Sequence, residues 1–237
     1  MKISPRTPAA ALAVTLLTLA CAWAPPSAAA AGVGALSDKD SVEGLKAALG
    51  QGTERAVSML GATDGFLGNP TVRIPLPPTL AKGERMFKML GLDKQAKELV
   101  TSMNRAAEAA MPEARTLLVD SVKQMSVSDA RQILTGDDAA TQYFRRTSYD
   151  KLSARFLPIV KQTTDRSDLS QQYNEFAGQA ARLGVIDPRD AKVEDYVTRK
   201  ALDGLFTMIA EEERAIRKDP LGQSSKLLQS VFGSLKN

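Results

Sequence analysis

The sequence predicts an all-α protein, a single multi-helix, bundle-like domain with one extended proline-rich segment. Three observations support that class. Beyond the first thirty residues, apolar side chains recur at i, i+3, i+4 spacing. No run alternates apolar and polar residues for long enough to make a strand. Capping residues, glycines and prolines divide the helical stretches at short intervals. With 237 residues, 43% of them hydrophobic, the chain can bury a substantial core.

Residues 1–31 stand apart from that domain. Lys2 and Arg6 precede an apolar run from Ala9 to Ala24 and a small-residue tail, the three-part pattern of a secretory signal peptide. Pro25 and Pro26 disfavour cleavage after Ala24, whereas the alanines at 28 to 31 offer several A-x-A sites. The alternative is lipid attachment at Cys21, the only cysteine. Its preceding Thr18-Leu19-Ala20 departs at two positions from a lipoprotein signal, so simple secretion to the periplasm is the favoured reading over an outer-membrane lipoprotein. The apolar run falls short of the roughly 20 residues of a membrane-spanning helix, and no later stretch comes near it. Residues 32–237 are therefore expected to form one soluble helical domain, tethered to a membrane only if Cys21 is lipidated.

Within that domain, Ser37 and Asp40 form a capping box for a helix through Leu45, Ala48 and Leu49. Gly50 and Gly52 are expected to separate it from a second helix bearing Ala56, Val57, Met59 and Leu60. The proline-rich stretch follows, extended over about residues 69–79, because Pro75, Pro77 and Pro78 exclude both a helix and a central strand. A helix ending at Gly91 comes next, and Ala96, Leu99, Val100, Met103, Ala107 and Ala110 then share one helical stripe. Pro112 suits the first turn of a new helix with Leu117, Leu118 and Val122 inside. Ser126 and Asp129 form another capping box, and Asp137 or Asp138 caps the helix AATQYFRR. Leu152, Phe156, Ile159 and Val160 mark a further helix bending at Pro158. Leu169, Tyr173, Phe176, Ala180 and Leu183 mark one closed by Gly184 and Asp187-Pro188. The longest helix is expected from Val193 to Lys218, and a last one carries Leu227, Leu228, Val231 and Phe232.

The segments DGFLGNPTVRIPLP, MNRAAEAAMPEA, DARQILTGDDAATQYF, YVTRKALDGLF, IAEEERAIRKDP and LLQSVFG, in that order, resemble an uncharacterised bacterial family catalogued as domain of unknown function number 4197. The resemblance runs from about Leu36 to Gly233 and implies an exported, all-helical protein of Gram-negative bacteria. It implies no activity, substrate or catalytic residue.

Composition removes much chemistry. There is no histidine, which excludes Ser-His-Asp and Cys-His triads and ordinary zinc sites. No glycine-rich phosphate loop follows a strand pattern, and neither a cofactor nor a metal is implied. Without Lys2 and Arg6, 29 basic side chains face 27 acidic ones, a balance of only +2. The charges are interspersed, so nucleic acid is not an expected partner.

The remaining candidates centre on Glu211-Glu212-Glu213. At about 100° per residue along a helix, Glu212 falls in line with Leu205, Ile209 and Ile216, inside the apolar stripe. Glu211 and Glu213 fall on its two flanks, and Glu213 can pair with Arg217 as a solvated charge. A core-facing Glu212 needs a partner, since an unpaired buried carboxylate costs several kcal/mol. Asn104 and Arg105 are the expected ones, in a tie between two helices. Glu212 with Glu108 could instead flank a glycosidic bond as a catalytic pair. The RIPLPP stretch can strap the helices or face a partner, with Arg73 beside it for an anion. Tyr143, Phe144, Tyr149 and Phe156, with Arg145, Arg146 and Arg155, could line a cleft for an amphipathic ligand or simply fill the core. Met86, Met89, Met103, Met111 and Met125 could line an adaptable groove or fill the core likewise.

The function expected from these residues is non-catalytic: a helical cell-envelope protein that binds a protein partner or an apolar or amphipathic ligand. A carboxylate-dependent periplasmic hydrolase and a purely structural lipoprotein are the alternatives.

Overall fold

The structure, a computed structural model, describes residues 38–81, 89, 91, 93–166, 168–184 and 187–218. The chain divides at Gly34–Ala35, and all the described elements belong to the second unit, Ala35–Asn237. Regular structure among the described residues is helical throughout: α1 (Asp38–Gly61), a short α2 (Pro78–Ala81), α3 (Asp93–Gln124), α4 (Val127–Thr135), α5 (Ala139–Thr164), α6 (Asp168–Arg182) and α7 (Val193–Lys218). A 3₁₀ turn at Pro188–Asp190 precedes α7. The predicted signal segment, Cys21, the Ser37 half of the first capping box, Met86 and the last predicted helix lie outside the described residues. No described helix is long and apolar enough to cross a membrane.

The bundle is built on α3, which packs mainly against α5 and α1, while α7 packs mainly against α5 and α1. One continuous core joins them, with Leu45, Leu60, Leu99, Met103, Met111, Phe144, Phe156 and Phe206 at most 1% exposed. Three predicted breaks do not occur. Gly50 and Gly52 lie inside α1 because the residues on both sides of them pack on the same core, which outweighs roughly 1 kcal/mol of lost helix propensity per glycine. Pro112 sits in mid-α3 instead of opening a helix, with buried Met111, Ala114 and Leu118 continuing the stripe past it. The two helices predicted around residues 139–160 are one, α5, with Pro158 inside it. As a result α3, at 32 residues, is longer than α7 at 26.

Other local signals appear as read. Ser126 and Asp129 form a reciprocal capping box at the start of α4. Gly91 and Gly184 adopt φ of +70° and +71°, the left-handed region that glycine enters without strain. Leu183 departs from its predicted inward face and is 79% exposed.

Candidate functional site

The proline-rich segment is held by α3. Residues 62–72 form successive turns and 73–77 have no regular structure, leading into α2 at Pro78. Phe66, Val72 and Ile74 are buried, so the apolar side chains of this stretch fill grooves between helices. Asn104, fully buried on α3, accepts a hydrogen bond from Ile74 N at 2.9 Å and donates to Ile74 O at 2.9 Å. One amide side chain thereby satisfies both polar groups of a buried residue that has no helix or sheet to do so. One turn further on, the Glu108 carboxylate accepts from Phe66 N at 3.1 Å and Leu67 N at 3.2 Å. Arg105 donates to Glu108 at 2.6 Å and to Asp64 at 2.7 Å. These two carboxylates, through their hydrogen bonds, hold the guanidinium's pKa above its ordinary value. Asp64 itself has φ of 66°, in the turn that this cluster pins. Asn104, Arg105 and Glu108 thus come together as expected, but around a loop and not around Glu212.

The three glutamates also divide differently. Glu212 is half-buried and pairs with Arg55 of α1 at 2.8 Å, with 43% of the Arg55 side chain exposed. Glu213 is the buried one, 4% exposed. Its carboxylate accepts from Ala140 N at 3.1 Å, Thr141 N at 2.9 Å and the Thr141 hydroxyl at 2.8 Å, and pairs with Arg217 at 2.7 Å. The predicted partner Arg217 is correct, but the pair is not a solvated one. Arg217 also donates to Ile133 O at 2.7 Å. Glu213 therefore caps the N-terminus of α5 from another helix. Asp138, one of the two predicted caps, has a left-handed φ of 52° and makes no side-chain capping bond. The geometric reason is that α7 is buried over a broad arc. Leu202, Phe206 and Ala210 are all inside, and Glu213 projects between Leu202 and Phe206 around the helix axis, so it lies within the buried sector.

The two carboxylates that could have formed a catalytic pair are each engaged elsewhere, Glu212 with Arg55 of α1 and Glu108 with the amides of Phe66 and Leu67 and with Arg105.

Tyr143 is 5% exposed and donates its hydroxyl to Ser121 O at 2.7 Å, with burial raising its pKa. It is fixed in the core, and Arg146 lies over its ring at 5.8 Å. Phe144 and Phe156 are fully buried, as are Met103 and Met111; Met125 is buried too, whereas Met89 is 81% exposed. Arg73 is exposed. Among the described residues, no group of three His, Cys, Asp or Glu side chains could hold a metal ion.

An open concavity lies elsewhere. A cleft of about 370 Å³ is lined by Tyr149, Ser153 and Leu157 of α5, Pro188 and Arg189 of the 3₁₀ turn, and Asp195, Thr198 and Arg199 of α7. Asn174 of α6 sets the start of α7 by accepting from Val193 N at 2.8 Å and donating to the buried Glu194 at 2.9 Å. Tyr149 stacks on Phe206 at 6.2 Å. Arg199 is held by Asp190 and lies 5.5 Å from the Tyr196 ring centroid. Arg189 pairs with Asp187 at 2.6 Å. Asp195 forms no ion pair among the described residues. Burial, then the neighbouring Glu194, raises its pKa above the ordinary carboxylate value, with Lys192 opposing them. Thr198 is 3% exposed and its hydroxyl has no hydrogen-bond partner among the described residues. A second hollow of about 320 Å³ is lined by Gln95, Glu98, Ser102, Arg166, Asp168 and Leu169, with a single apolar side chain among them.

The family model that matches is DUF4197, a protein of unknown function, over residues 35–233. The chain belongs to that family. No match is found among curated proteins or among solved structures. The family match covers the strap, the Glu213 cap and the cleft alike.

Of the cleft residues, only Tyr149 stood out in the sequence. Asp195, Thr198 and Arg199 read as one face of α7 near its start, and their i, i+3, i+4 spacing was the available signal. Nothing in the sequence placed Ser153 or Pro188 opposite them.

Proposed function

We propose that this DUF4197 protein is an exported, non-catalytic helical binding protein of the cell envelope, which takes a small amphipathic ligand in the cleft between α5 and the start of α7. The observation that carries this reading is the contrast between two kinds of polar group. Asn104, Glu108 and Glu213 are spent on backbone amides and serve the fold. Asp195, half-buried and without an ion pair among the described residues, lines an open cleft beside Thr198 and the apolar surfaces of Tyr149, Leu157 and Pro188. Mixed lining with a few convergent polar groups is what small-molecule sites have in common. Export rests on the Lys2/Arg6, apolar-run and alanine-tail pattern of residues 1–31, with Cys21 as the tether if it is lipidated.

Native mass spectrometry of the full chain, expressed in a Gram-negative host and recovered from the periplasmic fraction, tests this. A small-molecule adduct is expected on the wild-type protein and not on Ser153→Trp, whose indole fills the cleft. An adduct of equal occupancy on both proteins, or recovery of the chain from the cytoplasm alone, refutes the reading.

A further inference from the structure

We infer that the ligand of this cleft is a small zwitterion, a free hydrophobic amino acid or a dipeptide, with its ammonium on Asp195 and its carboxylate on Arg199. The inference rests on the binding role proposed above and names the chemical class of its ligand.

Asp195 and Arg199 stand four residues apart on α7, acid before base, the arrangement in which helical ion pairs ordinarily form. They do not form one. Arg199 turns to Asp190, and Asp195 is left without an ion pair among the described residues. Both nevertheless line the same cleft, one helical turn apart. Arg199 is fixed by Asp190 and by the ring of Tyr196, and 28% of its side chain is exposed. A guanidinium has five N–H donors, so the bond to Asp190 leaves several for a ligand carboxylate.

The cleft thus presents a fixed cation and an open carboxylate on one wall. Thr198 lines the same wall, with its hydroxyl buried beneath it. Tyr149, Leu157 and Pro188 complete the lining with apolar surface. A fatty acid would bring its negative charge against Asp195 with nothing for that carboxylate to accept from. A simple amine would meet Arg199 and Arg189. A zwitterion satisfies both charged groups at once, and its apolar side chain covers the remaining surface. The volume of about 370 Å³ suits a molecule of that size.

Two-dimensional ¹H–¹⁵N spectra of the full chain, titrated with L-leucine, L-leucyl-L-leucine, N-acetyl-L-leucine, L-leucinamide and decanoate, test this directly. The free zwitterions are expected to shift the amides of Thr198 and Arg199 saturably. Blocking either charged end of leucine should weaken binding at least tenfold. Asp195→Asn should abolish the preference for leucine over its N-acetyl derivative. The comparison among ligands needs no variant, so it holds even if Asp195→Asn folds poorly. Equal binding of leucine and N-acetyl-leucine, tighter binding of decanoate, or no shift of the cleft amides by any zwitterion overturns the inference. An adduct that survives Ser153→Trp removes the binding site itself, so the two failures are distinguishable.

Discussion

Replacing Glu213 is the sharpest test of the architecture, because one side chain ties two helices together. Its carboxylate satisfies two backbone N–H groups at the start of α5, the Thr141 hydroxyl and Arg217 of its own helix. In Glu213→Ala the N–H groups of Ala140 and Thr141 are left buried and unpaired, at about 1–3 kcal/mol each. Arg217 retains its bond to Ile133 O and is 21% exposed in its side chain, so its loss adds less than a fully buried charge would. The expected destabilisation is about 3–5 kcal/mol. Glu213→Gln keeps one acceptor oxygen but turns an NH₂ toward backbone donors, for a loss of about 2 kcal/mol. Glu212→Gln disrupts only a half-exposed pair with Arg55, for less than about 1 kcal/mol. Urea unfolding followed by circular dichroism measures all three, with constant slope confirming that only stability has changed. If Glu212→Gln costs as much as Glu213→Gln, or Glu213→Ala costs less than about 1 kcal/mol, Glu213 is not the cap of α5.

Other positions carry expected outcomes of their own. Gly204→Ala would place a methyl 2.7 Å from a ring carbon of Phe66 and 3.2 Å from Val72 Cβ, so overpacking should lower stability by about 1–3 kcal/mol in a thermal melt. Asn104→Ala orphans both polar groups of buried Ile74, and hydrogen exchange at that amide should accelerate, with a stability loss of about 2–4 kcal/mol. Asp187, whose carboxylate accepts from the Arg189 side chain and backbone N, is held at a pKa of about 2, and an NMR titration should find its midpoint well below the ordinary 3.8. Its contribution is present above pH 3.8 and lost as pH falls toward 2. Asp195 has the opposite sign. Its raised pKa favours the protonated form in the fold, so its contribution is present at low pH and lost as pH rises through the folded value. Asp195→Asn should therefore stabilise the protein more at neutral pH than at pH 3, as urea titrations at the two pH values will measure.

The helical class was legible because stability in such a chain comes from apolar stripes, and these survive in the sequence whatever their partners. The stops were less legible. Gly50, Gly52 and Pro112 carry local penalties of roughly 1–3 kcal/mol, and a shared core on both sides outweighs them. Local propensity cannot report that, because the compensating contacts come from α1, α3, α5 and α7 packed together.

The error over the glutamates has a different origin and says more about how sites form. A helical wheel finds the centre of a stripe, whereas burial depends on how many neighbours surround the helix. α7 packs against α5 and α1 and also meets α3, so its inside is wide and its edge positions are enclosed. An edge position is also where a carboxylate can reach a neighbouring helix terminus, which is why Glu213 serves as a cap and Glu212 does not. The same principle operates at the other end of α7. There the enclosing α5 and the 3₁₀ turn leave a gap, and the edge groups Asp195 and Arg199 face that gap, Asp195 with no ion pair among the described residues. One helix therefore shows both fates of a polar edge. Where a helix terminus lies opposite, the polar group is consumed by the fold, and where a cleft lies opposite, it remains available to a ligand.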